Sequence, residues 1–223
     1  MNLKLLNQCI IYTMISENTL SADNQQGSLR KLANDPSETT RRAPFSKLEM
    51  RAYLQGALHD AYKARGNKVR FSQKYRSWLE KLSELLLYLG HRSWIYQEGK
   101  RDVYDLETTA SFLDFKFNPK NISLPEQVAY IRGFFDAEGG IPHKKSDRFY
   151  IQFVQKNKSK LLILKKCLSG LNIKTGKIHN PSVRVDKNYW RFYILAESQK
   201  DFCKIVNSWH PLKSKIIKER MVI

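Results

Sequence analysis

Tyr130-Ile-Arg-Gly133-Phe-Phe-Asp136-Ala-Glu138 follows the start Ser123-Leu-Pro-Glu126, and Tyr53-Leu-Gln-Gly56-Ala-Leu-His-Asp60-Ala61 follows the start Ser46-Lys-Leu-Glu49. A Ser and a Glu three residues apart form a capping box, in which the hydroxyl accepts from a free helix amide and the carboxylate reaches back to the cap amide. Phe45 and Met50 flank the first box at the positions of a hydrophobic staple. Pro125 falls in the first turn of the second helix, where an amide has no helical partner in any case. In both stretches the serine stands ten positions before the glycine, so one helix start and one helix body occur twice. The chain reads as a duplication.

Working outward, the echo persists. Val69-Arg-Phe-Ser-Gln-Lys74 and Tyr150-Ile-Gln-Phe-Val-Gln-Lys156 alternate as strands and end in Gln-Lys. Amphipathic helices over 77–89 and 159–171 come next. Gln73 to Gly90 and Gln155 to Asn172 are both 17 positions, and Gly and Asn both suit the left-handed turn after a helix. Strand-rich segments follow at 93–107 and 176–195, the second with a turn near Asp186-Lys-Asn, and short helices at 111–115 and 200–208 close the halves. The expected fold is α+β: two pseudo-symmetric halves, 45–122 and 123–223, each running helix, strand pair, helix, strand pair, helix. Ser16 to Arg42 is polar and lacks an apolar period, so residues 1–44 read as a flexible N-terminal leader.

The 223 residues are 42% hydrophobic and 12% aromatic, enough for a real core. Lys and Arg number 39 against 21 Asp and Glu, a formal charge of +18. Such a surface attracts polyanions and repels copies of itself, so a monomer that binds nucleic acid is expected. An acidic membrane surface is the lesser alternative, and a merely solvated basic face another. No apolar run approaches the roughly 20 residues that a bilayer demands. The first residues are too short and polar for a signal peptide. Cys9, Cys167 and Cys203 form no CxxC pair or metal-ligand spacing, which points to reduced thiols, an intracellular compartment and no secretion.

Ile131-Arg-Gly-Phe-Phe-Asp136-Ala-Glu138-Gly139 resembles the LAGLIDADG motif, and Leu54-Gln-Gly-Ala-Leu-His-Asp-Ala61 looks like a first, altered copy. The likeness spans Phe45 to Lys218. It implies a single-chain homing-endonuclease fold, in which the two motif helices pack along a pseudo-twofold axis between flanking antiparallel sheets that form a saddle over the duplex. Gly56 and Gly133 then let the two helix backbones approach closely. The resemblance further implies Mg²⁺ or another divalent cation, bound by the last acid of each motif for phosphodiester hydrolysis. Glu138 matches that metal ligand, whereas Asp136 suits a structural or capping role. Gln73 and Gln155 match the polar residues held near the scissile phosphates. Pro211-Leu-Lys213-Ser-Lys215 resembles the segment that brings a basic residue to the metal, with Lys215 the better match and Lys116 a poor first-half counterpart. Arg70, Lys74, Gln152, Lys156, Lys177, Arg184 and Arg191 are candidates for contacts to bases or phosphates of double-stranded DNA.

The first motif departs from the second. Five residues past Gly133 stands Glu138, but five past Gly56 stands Ala61, which offers only its backbone carbonyl as a metal ligand. Asp60 comes one residue early, about 100° away around an α-helix. It serves as a ligand only if the helix end is distorted, for example by unwinding. His59 stands where the second motif has Asp136, and Tyr62 stands in place of the glycine after the motif. Three readings stay open: a site-specific, metal-dependent double-strand DNA endonuclease, a strand-specific nickase, and a degenerate nucleic-acid-binding protein. The last would be an RNA splicing cofactor, a ribosome-associated protein or a regulator, so RNA stays among the expected partners.

Overall fold

The computed structural model describes residues 45–221, and the expected leader at 1–44, with Cys9, lies outside the described residues. The first half opens with α1 (Lys47–Ala57), tightens into a 3₁₀ turn (Leu58–Asp60), and continues through β1 (Ala61–Ala64), β2 (Lys68–Gln73), α2 (Arg76–Tyr88), β3 (Ser93–Gln97) and β4 (Tyr104–Thr108). The second runs α3 (Leu124–Glu138), β5 (Gly139–Gly140), β6 (Gln152–Gln155), α4 (Lys158–Gly170), β7 (Trp190–Tyr193), α5 (Gln199–Ile205) and α6 (Pro211–Met221). Both sheets are antiparallel, in the orders β1-β2-β4-β3 and β5-β6-β7. Among the described residues no helix is long and apolar enough to cross a membrane.

The local signals act as written. Glu49 accepts from the Ser46 amide at 2.8 Å while the Ser46 hydroxyl accepts from the Glu49 amide at 3.1 Å. Glu126 accepts from the Ser123 amide at 3.0 Å. Gly90 and Asn172 both adopt positive φ, 85° and 57°, just past α2 and α4.

Two expected elements are replaced. Residues 111–115 form successive turns rather than a helix. The buried Gln55 side chain donates to the Phe112 carbonyl (2.6 Å) and accepts from the Asp114 amide (3.2 Å), which occupies backbone groups that a helix would need. In 176–195 only β7 is a strand. The segment before it touches it through isolated bridges, Thr175 to Ile194 and His179 to Arg191. Between them Asn180 clasps a turn, donating to the Asp186 carbonyl at 2.9 Å and accepting from the Ser182 amide at 2.8 Å across Pro181.

α1 and α3 cross at the two glycines. A Cβ on Gly56 would lie 2.7 Å from the Phe134 nitrogen and closer still to the Tyr130 carbonyl oxygen; one on Gly133 would lie 2.9 Å from the Ala57 nitrogen and closer to the Tyr53 oxygen. The obstacles are backbone atoms related by the pseudo-twofold axis, which no rotamer change can move aside. Phe71, Leu79, Leu82 and Leu106 fill the first half's core, and Phe135, Phe153, Phe192 and Phe202 the second's. The crossing therefore fixes where both helix ends emerge.

Candidate active site

Strand pairing decides which residues correspond. Ala61 opens β1 and pairs with Phe71, and Gly139 opens β5 and pairs with Phe153. Asp60 and Glu138 are each the residue just before the strand, and Gln73 and Gln155 each stand two residues past the paired phenylalanine. Ala61, not Tyr62, is thus the counterpart of Gly139, and the first motif is one residue shorter between glycine and strand.

The 3₁₀ turn absorbs that missing residue. A 3₁₀ residue turns about 120° and rises about 2.0 Å, against about 100° and 1.5 Å in an α-helix. Gly56 to Asp60, mostly through 3₁₀ geometry, rises about 7.5 Å and turns about 460°; Gly133 to Glu138 rises about 7.5 Å and turns about 500°. The two acids reach the same height and differ by about 40° instead of about 100°. The helix end tightens rather than unwinds.

Each acid meets its own glutamine: the Gln73 amide donates to Asp60 Oδ2 and the Gln155 amide to Glu138 Oε1, the latter at 3.4 Å. Both carboxylates are half-buried. Burial pushes Asp60 up to about 6, against the Gln73 bond and the Lys213 charge. Burial and the Asp60 charge together push Glu138 up to about 7. Two carboxylates that resist sharing ionisation in this way suit a hard cation, whose charge relieves both penalties. Among the described residues no three His, Cys, Asp or Glu side chains gather, so a cation held by these two would need water, phosphate or main-chain oxygen to complete its shell. Ala61, at the start of β1 beside Asp60, is the main-chain candidate.

Lys213, not Lys215, accompanies the acids. Its ammonium donates to the carbonyls of Phe135 (2.6 Å) and Asp136 (2.8 Å), and burial brings it down to about 8 against the pull of Asp136, Asp60 and Glu138. Lys215 is exposed. The helical phase of α6 explains the difference and was readable in the sequence: Lys213 shares a face with buried Ile216 and Ile217, three and four residues on. Lys116 is exposed too. Asp136, 2% exposed, accepts from the Tyr53 hydroxyl (2.7 Å), the Ser208 hydroxyl (2.5 Å) and the amides of Trp209 (2.9 Å) and His210 (3.1 Å), which makes it the tie between α1, α3 and the approach to α6.

The saddle candidates differ in how they are held. Arg70 is held by Glu107, and Tyr62 accepts from it at 3.0 Å. Glu107, 4% exposed, accepts also from Lys68 (3.0 Å), Trp94 (3.2 Å) and Tyr96 (3.1 Å), and the Arg70 and Lys68 bonds hold its carboxyl down at about 2. Gln152 packs against Gly140. Arg191 on β7 bonds His179 Nε2 at 3.3 Å and lies over the Tyr193 ring, while Lys74, Lys156, Lys177 and Arg184 are exposed and form no ion pair among the described residues. Sequence reasoning missed Lys213's precedence, Glu107 and Lys160, which sits beside His59.

A model for a LAGLIDADG-like domain matches residues 50–116 and 125–207. The fold is similar to mesophilic variants of the homing endonuclease I-DmoI (TM-score 0.62, 20% identity, 79% of this chain and 100% of that chain). It is similar to I-DmoI in complex with DNA and Ca (TM-score 0.61, 20% identity, 79% and 100%), and to full-length DUF199/WhiA from Thermatoga maritima (TM-score 0.60, 20% identity, 82% and 64%). No curated protein sequence matches the chain.

Proposed function

Since the chain belongs to the LAGLIDADG-like domain family, we propose that it is a monomeric, site-specific, divalent-metal-dependent double-strand DNA endonuclease of the homing type. One observation carries this: both helix ends present a carboxylate with a glutamine at the same register position, although the first motif is a residue short. A strand-specific nickase would need only one such end, and a pure binding protein neither. The I-DmoI complexes that hold DNA with Ca or Mn support a duplex and a divalent cation as ligands of this fold.

Asp60 and Glu138 would hold Mg²⁺, which when bound neutralises charge on the phosphate and acidifies water. Gln73 and Gln155 orient the two carboxylates by donating to one oxygen of each, which leaves the other oxygen of each available to a cation. Lys213 places a cation beside both acids without bonding either, since its donors rest on main-chain carbonyls. It is thereby kept free to counter charge developing on the phosphate. The unpaired cations around the second sheet supply contacts to the duplex backbone.

The test is a library of supercoiled plasmids incubated with Mg²⁺. Wild type is expected to linearise a subset, and Glu138→Gln and Asp60→Asn to stop linearisation equally while DNA affinity is kept. Full linearisation by Asp60→Asn would remove the first half from the chemistry. Nicked circles from wild type would favour the nickase, and unchanged plasmid a binding protein.

A further inference from the structure

Pseudo-symmetry pairs Tyr53, bonded to Asp136, with Tyr130, bonded to His59. Tyrosine stands three residues before the glycine in each helix, and its partner three after it in the other, so the geometry is kept while the charge is not. Asp136 is acidic, and Lys213 lies beside it. His59 is a ring packed against Phe134 (centroids 4.0 Å apart), with Nε2 2.7 Å from the Tyr130 hydroxyl and Nδ1 3.3 Å from the Lys160 ammonium. An ammonium can only donate, so Nδ1 accepts and Nε2 carries the hydrogen that is donated to Tyr130.

Lys160 comes from α4 of the second half and crosses to the residue next to Asp60. It shares the core-facing stripe of α4 with Leu164 and Cys167, four and seven residues on, which aims it inward. It is half-buried, lines a cleft with Gln55, His59, Asp114 and Tyr130, and forms no ion pair within contact distance among the described residues. A half-buried ammonium with one neutral acceptor and no carboxylate in contact is not locally neutralised, and a phosphate oxygen would bind it with charge-assisted bonds. Glu138 and Lys160 are within electrostatic reach of each other.

We propose that Lys160 is the active-site lysine of the first half, contacting the scissile phosphate beside Asp60, and that His59 is the positioning residue that holds it there. This rests on the endonuclease reading above. The two strands of the target are then served by differently built lysines: Lys213 seated on carbonyls, and Lys160 tethered by an imidazole from the other half.

The experiment uses the full chain with Lys160→Met, Lys160→Arg and His59→Phe, and a cleaved duplex labelled on each strand. Lys160→Met is expected to slow one strand by about 10²-fold and leave the other near wild type, with Lys160→Arg recovering part of the loss. His59→Phe should slow the same strand less, through kcat rather than KM. Independently of cleavage, Lys160→Met should lower the slope of log affinity against log salt by about 0.9, one phosphate contact. The ¹⁵N shifts of His59 should also lose the Nε2–H signature. Equal loss on both strands, or no loss, overturns the proposal. If wild type cleaves nothing, the endonuclease reading falls by itself, and the salt slope then decides for Lys160: an unchanged slope overturns its phosphate contact.

Discussion

Gly133→Ala puts the helix crossing to a quantitative test. The new methyl carbon would sit 2.9 Å from the Ala57 nitrogen, where ordinary contact begins at 3.4 Å, and nearer still to the Tyr53 oxygen. The helices must part by at least 0.5 Å on the Ala57 side. Alanine gains about 1 kcal/mol over glycine in helix propensity, so overpacking must exceed that for any loss to appear. Backbone obstacles put the steric cost at or above the upper end of the usual 1–3 kcal/mol, for a net destabilisation of about 2 kcal/mol. Denaturant unfolding should show a lower midpoint with the slope unchanged. Cleavage should fall by more than stability alone explains, because Asp60 and Glu138 ride on the same two helices and misplacement of about 1 Å costs about 10²-fold. Gly170→Ala, whose Cβ meets nothing within 4 Å, is the control and should be neutral or stabilising. A Gly133→Ala protein as stable as wild type would refute the close-approach account.

In metal-free protein, Asp60 and Glu138 should contribute a loss of stability as pH rises from about 4 to 7. Asp60 and Glu138 are raised to about 6 and 7 in the fold, so the folded state holds protons that the unfolded chain releases first. His59 and His210, held by burial at about 3 and 4, contribute a gain over the same window, so the difference is the test. In chelator, thermal melts of Glu138→Gln should gain stability relative to wild type as pH rises, and a constant difference contradicts the burial argument. Asp136→Ala strips a buried acceptor from two hydroxyls and two amides and should cost about 3–5 kcal/mol by denaturant unfolding; a loss under 1 kcal/mol would mean that these donors find water. Lys213→Met should reduce cleavage by about 10²-fold while Lys215→Met leaves it unchanged, and the reverse ranking would reinstate Lys215.

Much of the fold was legible because its signals are local. Capping boxes, strand alternation and the residues after α2 and α4 all report on neighbours a few positions away, and the structure keeps each of them. What the sequence obscured depends on distant partners. Residues 111–115 carry helix-compatible side chains, but Gln55, more than fifty positions earlier, takes their backbone groups. The standing of Asp60 could not be read by counting from Gly56, because the relevant ruler is the strand register and not the helix. Lys213 was within reach, since its spacing to Ile216 and Ile217 is a helical one, but motif resemblance weighed on its neighbour. Lys160 and His59 meet only through the pseudo-twofold axis, which no single-half pattern contains.

Glu107 has a consequence for how the chain meets a target. Lys68 and Arg70 are its partners, and the first half, 45–122, holds 14 Lys and Arg against 9 Asp and Glu where the second, 123–223, holds 20 against 8. Attraction over a Debye length is therefore lopsided, and the capture of a polyanion is expected to begin at the second half. A protein that always lands on the same foot has a direction built into it before any base is read. Glu107→Gln would release the other foot, and faster association with less preference for one orientation, seen with duplexes labelled at either end, is what that change should bring.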